Sequence, residues 1–253
     1  MIFQQIRSAT IKIYYGNVCF LIDPWLMDPC SEEEKEEALK AKKFITKPIV
    51  PLPYYAEEIL KDVDYCIVSH DHADHFSTDY LPKDMPMIFQ NEKDMELGKS
   101  LGFTNVMYFK TDYMTFGDIQ IKRTDGRHGD TDEMAEKAGP VSGFIFSKEG
   151  EKKVYVAGDT VYYDDFEKVI LSERPDVIIV NACDARGRTG RLIMNTEDVI
   201  KTCICAKDSI IIASHMDTVS HAHLTRKELK ENLENTPYIK QVLIPEDGES
   251  LTF

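Results

Sequence analysis

The 253-residue chain is 43% hydrophobic and 29% charged, long enough to bury a substantial core, and no stretch approaches the roughly 18 apolar residues of a membrane span. A formal net charge of −14 argues against a nucleic-acid groove, because phosphate binding relies on Lys and Arg. Six cysteines, at 19, 30, 66, 183, 203 and 205, form no C-x-x-C pair or disulfide framework, and Met1 to Arg7 lacks the basic-then-apolar pattern of a secretory leader; a cytoplasmic protein with neither membrane nor nucleic-acid partner is expected.

The chain opens as strands. Thr10-Ile11-Lys12-Ile13-Tyr14 alternates, Gly16-Asn17 supplies a turn, and Val18 to Ile22 follows as a more buried strand. Ser31 and Glu34 form a capping-box pattern that opens a charged helix running to about Lys43, before Pro48, Pro51 and Pro53 break regular structure. This segment, about 30–50, reads as a helical insertion, either flanking a site or merely solvated. Tyr65 to Val68 is a short buried strand, and Asn91 caps a helix ending near Gly98–Gly102. Strands are expected at 119–122, 153–157, 176–180 and 209–213, with helices over 164–172 and 196–206. Thr225 and Glu228 form a second capping box, opening a last helix before Gln241 to Ile244. The alternation predicts an α/β fold of sheets covered by helices, in one domain over 1–253.

The chemistry concentrates after the strand at 65–68. His70, His72, Asp74 and His75 fall within six residues, and imidazole nitrogen with carboxylate oxygen is the donor set preferred by zinc and its neighbours. Other strands lead to ligand-type residues in the same way: 119–122 to His128, 153–157 to Asp159, and 209–213 to His215. The H-x-H-x-D-H pattern resembles the signature of the metallo-β-lactamase superfamily. Arg127-His128-Gly129, Gly158-Asp159-Thr160 and Ser214-His215-Met216-Asp217 are similar to its remaining metal motifs, in order. Asp23-Pro24-Trp25 and the stretch from His215 to His221 resemble the branch that includes L-ascorbate-6-phosphate lactonase-like proteins.

The resemblance implies a four-layer αββα sandwich with the metals at one edge of its two sheets. It implies one metal on His70, His72 and His128, a second on Asp74, His75 and His215, and Asp159 bridging them. Two divalent cations are expected, zinc first and manganese second given N/O donors without thiolate. A metal-bridging hydroxide would then hydrolyse a small, anionic substrate of the lactone or phosphoester class. Asp74 would orient that hydroxide. His221 would be a proton donor or a substrate or ligand contact, while His223 reads as a surface histidine. The loop Asp184 to Arg191 carries three arginines, and Arg188 and Arg191, with Tyr162, are candidate substrate contacts; solvated arginines and a packed tyrosine are the competing readings. A homo-oligomer is compatible with the sequence.

Other functions of the same fold are weighed on particular residues. A nuclease or phosphodiesterase would normally carry a large extra domain, for which the chain has no room. A diiron oxidoreductase would place glutamate where His72 stands. A non-catalytic metal-binding protein would not need the full ligand set. The opening Asp23-Pro24-Trp25 and the carboxylate Asp159 point away from β-lactamase activity itself.

Overall fold

A computed structural model describes residues 1–41, 45–187 and 189–253. The first sheet is built from Ile2–Arg7 (β1), Thr10–Tyr15 (β2), Val18–Ile22 (β3), Tyr65–Val68 (β4), Met87–Phe89 (β5), Val106–Tyr108 (β6) and, from the end of the chain, Ser250–Thr252 (β14). The second uses Tyr113–Phe116 (β7), Ile119–Asp125 (β8), Ser142–Ser147 (β9), Val154–Val156 (β10), Val177–Asn181 (β11), Ile210–Ser214 (β12) and Val242–Leu243 (β13). Their orders are β14-β1-β2-β3-β4-β5-β6 and β13-β12-β11-β10-β9-β8-β7.

Strand alternation sorts the side chains into layers. Phe3, Ile13, Phe20 and Ile67 of the first sheet meet Ile121, Phe144, Phe146 and Ile179 of the second in a shared core. The outer face of the first sheet is covered by Ala56–Leu60 (α2) and Glu92–Ser100 (α3) through Ile59 and Met95. Asp164–Glu173 (α5), Thr196–Cys205 (α6) and Arg226–Leu233 (α7) cover the second through Phe166, Val199 and Leu229. The result is the expected αββα order. None of the described helices is long and apolar enough to cross a membrane.

Local signals explain the helix starts. Ser31 Oγ accepts from Glu34 N at 3.1 Å and Ser31 N donates to Glu34 at 2.7 Å, opening Glu32–Ala41 (α1); the expected extension to Lys43 lies outside the described residues. Asn91 and Thr225 cap α3 and α7. Within segment 30–50, Ile45 and Ile49 lie beside the loop after β12: Ile49 N donates to Thr218 O at 2.9 Å and Ile45 N to Ser220 Oγ at 3.0 Å. Two short helices, α2 and Asp132–Ala138 (α4), lie outside the elements expected from sequence.

What positions the site is parallel pairing. β3 pairs with β4, β10 with β11, and β11 with β12, all parallel. Their C-terminal ends therefore open onto one edge, carrying Asp23, His70, Asp159, Asn181 and His215 side by side.

Candidate metal centre

The backbone at that edge is bent to aim its side chains. Gly158 has φ of +67°, and a Cβ there would meet Ser142 O at 2.6 Å, so only glycine lets the chain turn Asp159 inward. His215 and Asp217 hold φ of +66° and +63° without being glycine, at a cost of about 1–3 kcal/mol each that a functional site can carry.

The predicted ligands converge. Three overlapping groups bring donor atoms within 4.8 Å of one another: His70, His72 and His128; His70, His75 and Asp159; Asp74, His75 and His215. Asp159 joins them, its Oδ2 lying 3.1 Å from His75 Nε2 and 3.6 Å from His128 Nε2. Its Oδ1 accepts from Asn181 Nδ2 at 2.7 Å and lies 3.9 Å from His215 Nε2.

The remaining ring nitrogens show which atoms are free to ligate. His72 Nε2 donates to Ala138 O at 3.0 Å, and His128 Nδ1 to Leu192 O at 3.1 Å, since a carbonyl only accepts. In the neutral rings, His72 Nδ1 and His128 Nε2 then face each other as bare lone pairs at 3.3 Å. Two such lone pairs repel, and a cation between them turns repulsion into coordination. The separation matches about 3.3–3.4 Å for two nitrogens on one tetrahedral zinc with bonds of about 2.0–2.1 Å. His70 Nε2 is likewise buried without a hydrogen-bond partner, while its Nδ1 rests on Ser69 Oγ at 3.0 Å. His75 Nδ1 donates to Asp23 Oδ2 at 2.7 Å, leaving Nε2 turned to His215 Nε2 at 3.1 Å. The donor set fits divalent cations.

Without a cation, the charges balance through protons. Burial alone would lower His75, but the carboxylates of Asp159 and Asp23 raise it well above the usual histidine value. Burial, with the charge of His75 beside it, holds His70 well below that value, and burial also lowers His128. Burial would raise Asp159 and Asp74, yet His75 and His215 hold both below the usual carboxylate value.

A cavity of about 410 Å³ opens over the cluster, reaching His72, Asp74, His128, Asp159, His215 and His221. Its walls are α4, through Met134, Lys137 and Ala138, and the 185–192 loop, through Ala185, Gly187, Thr189 and Leu192. Lys137 Nζ is paired with Glu133 at 2.6 Å. Burial lowers the His221 imidazole.

Two expected substrate contacts are placed elsewhere, and a third call cannot be located. Arg191 points away from the cavity, to the carboxylate of Asp198 and to Ile193 O at 3.1 Å, because a carboxylate 1% exposed needs a counter-ion. The Tyr162 hydroxyl donates to Glu167 at 2.7 Å and its ring packs on Phe166. Arg188 lies outside the described residues. The sequence reading missed the α4 wall, although Thr131 followed by Asp132 and Glu133 is a helix-start pattern. It also missed Asp23 as the acceptor behind His75, in the Asp-Pro turn it had noted for another reason.

Comparison with known proteins agrees with this geometry. Residues 4–215 match the beta-lactamase superfamily domain. The chain is 41% identical to the UPF0173 protein YddR of Bacillus subtilis (strain 168), covering 98% of each. It is similar to the crystal structure of an isothiocyanate hydrolase from Delia radicum gut bacteria, with TM-score 0.88, 33% identity and coverage of 100% of this chain and 99% of that one. A possible metal-dependent hydrolase from Veillonella parvula DSM 2008 gives TM-score 0.89 and 32% identity, with the same coverage.

Proposed function

The chain belongs to the beta-lactamase superfamily and is a metal-dependent hydrolase; from that premise we propose that it works with two divalent cations on a small, uncharged electrophile, of which an isothiocyanate is the leading candidate. One cation would sit on His70, His72 and His128, the other on Asp74, His75 and His215, with Asp159 shared. Zinc or manganese held there would polarise the electrophile and make water nucleophilic at neutral pH.

The observation that carries the substrate reading is the cavity wall. Met134, Ala138, Ala185 and Leu192 are apolar, and Lys137 is the one cation among the described lining residues, already paired with Glu133. No arginine is among the described lining residues, and a small neutral molecule would be desolvated against those apolar side chains at little cost. The full-length similarity to an isothiocyanate hydrolase supports the same class. In that reaction water attacks the central carbon of R–N=C=S, the carbon–nitrogen bond breaks, and both water protons end on nitrogen, giving an amine and carbonyl sulfide. Asp74, ionised beside His75 and His215, would take the first proton. His221, whose burial favours the neutral ring, would hydrogen-bond the departing nitrogen and relay a proton to it.

The anionic lactone or phosphoester class is the second reading, and Lys137 at the cavity favours it. Turnover by zinc- and manganese-loaded protein on neutral isothiocyanates, phosphorylated lactones and phosphodiesters separates the two. Amine release from isothiocyanates is expected. Turnover confined to the anionic substrates, with Lys137→Ala raising their KM about tenfold or more, would replace the first reading with the second.

A further inference from the structure

In Arg191 the arginine loop holds a firmly placed cation that neither the cavity nor the reaction uses. Arg191 is bonded to Asp198, on the first turn of α6. The same guanidinium nitrogen donates to Ile193 O at 3.1 Å, so the side chain hooks across Leu192. Leu192 N donates to Ala185 O at 2.8 Å, and Arg191 O accepts from Asp130 N at 3.0 Å. The backbone about Leu192 is thus held from both sides, and its carbonyl is the acceptor for His128 Nδ1. The Asp198 carboxylate also accepts from Tyr162 N at 3.2 Å, three residues after Asp159. One buried carboxylate therefore ties down the acceptor behind His128 and the segment that follows Asp159.

We infer that the Arg191–Asp198 pair is a positioning device for the metal centre, acting on His128 through the Leu192 carbonyl. The inference rests on His128 being a ligand, as in the proposed function. The physical reason is that a ligand imidazole keeps its tautomer and aim through the acceptor on its far nitrogen. A Leu192 carbonyl free to swing lets His128 rotate or exchange tautomer. Asp198 is suited to anchor the pair because the helix N-terminus and the Asn195 cap already favour a carboxylate at that turn.

The test is a double-mutant cycle on the full chain, with zinc as the probe and affinity read by competition with a chromophoric chelator. Arg191→Ala should weaken zinc about 10- to 100-fold, the range for losing an outer-shell partner. In a His128→Ala background the same change should add less than about twofold. Arg191→Lys should recover part of the loss, since an ammonium can pair with Asp198 but its shorter, flexible stem holds Ile193 O less firmly than the rigid guanidinium does. Asp198→Asn, which keeps the shape and removes the charge, should reproduce the coupling to His128 if Arg191→Ala proves too unstable to titrate. Zinc affinity unchanged by Arg191→Ala, or weakened equally with and without His128, overturns the inference. The wild-type stoichiometry judges the two-metal reading separately: a value of one would end that reading and leave the cycle valid, because the cycle needs only the cation that His128 touches.

Discussion

The two halves of the ligand cluster are held in different ways. His75 is braced by Asp23, whose carboxylate also accepts from Ser69 N and Ser69 Oγ at 2.7 and 2.8 Å. His215 Nδ1 lies 3.2 Å from Ser8 Oγ, and His215 N donates to Ser8 O; Ser8 sits in the turn between β1 and β2. This half is fixed by side chains and turns of the sheet frame. Of the other half, His70 rests on the frame through Ser69, but His72 hangs from Ala138 O and His128 from Leu192 O. Those carbonyls belong to the two walls of the cavity. One half of the centre is therefore built into the sandwich, and the other depends on the same elements that would meet a substrate. A ligand that shifts the walls would shift the affinity of that half, and by linkage the metal would shift the ligand's affinity equally.

The largest expected effect comes from Asp23→Ala. It strips the direct acceptor from His75 and, one bond further, the partner of the Ser69 hydroxyl on which His70 rests. Unpaired buried donors cost about 1–3 kcal/mol each, so urea denaturation should show a clear loss of stability. Zinc on the His75 half should weaken about 10- to 100-fold, and the His72 half should weaken less. Greater loss on the His72 half would break the comparison.

A second difference is electrical. In the metal-free protein His75 should carry both ring protons at neutral pH, while His70 and His128 carry one each, because carboxylates flank the first and burial dominates the others. Histidine-ring nitrogen NMR on chelator-treated protein reads this directly. The sign for stability follows. The raised His75 contributes stability that is fully present below the ordinary histidine range near 6.5 and is lost as pH rises through its elevated value. The lowered Asp159 contributes stability present above its ordinary value and lost as pH falls through its depressed one. His75→Gln should remove the alkaline decline in melting temperature of the metal-free chain; an unchanged decline would assign it to another group.

Much of what rests on the sheet frame was legible in the residues, and little of the wall-held support was. His70, His75, Asp159 and His215, from both halves, each follow a short apolar strand, and parallel pairing does the rest. The capping boxes at Ser31 and Thr225 announced α1 and α7 for the same reason: side-chain chemistry sits at the position that needs it. The acceptors for His72 and His128 are backbone carbonyls, which any residue supplies, so Ala138 and Leu192 carry no signature. The arginine loop reads two ways from sequence, as an anion cradle or as arginines paired with nearby acids. Arg191 takes the second course, because Asp198 on the first turn of α6 is buried and claims it; Arg188 lies outside the described residues. Seven-residue α4 has too few turns for a periodic pattern to show.

That short helix yields the mildest test and the most selective. α4 is far below the length at which a helix holds itself in water, so its end groups matter. Thr131 Oγ1 accepts from Met134 N at 3.2 Å at one end, and Gly139 N donates to Ala135 O at 3.1 Å at the other. Thr131→Ala removes the first and should cost about 1 kcal/mol. The fraying begins at Met134, in the cavity wall, and loosens the turn that presents Ala138 O to His72. At most that energy reaches the metal, so zinc on the His72 half should weaken by no more than about fivefold, with KM for a cavity-bound substrate rising alongside it. Among the described residues, the hydrogen bonds of His75 and His215 run to Asp23 and Ser8 rather than to α4, so that half should keep its affinity. Thr131→Ser retains a capping hydroxyl and should restore both values. Equal weakening of the two halves under Thr131→Ala, measured in the same chelator titration, would show that the walls and the frame move together and that the division between them is not functional.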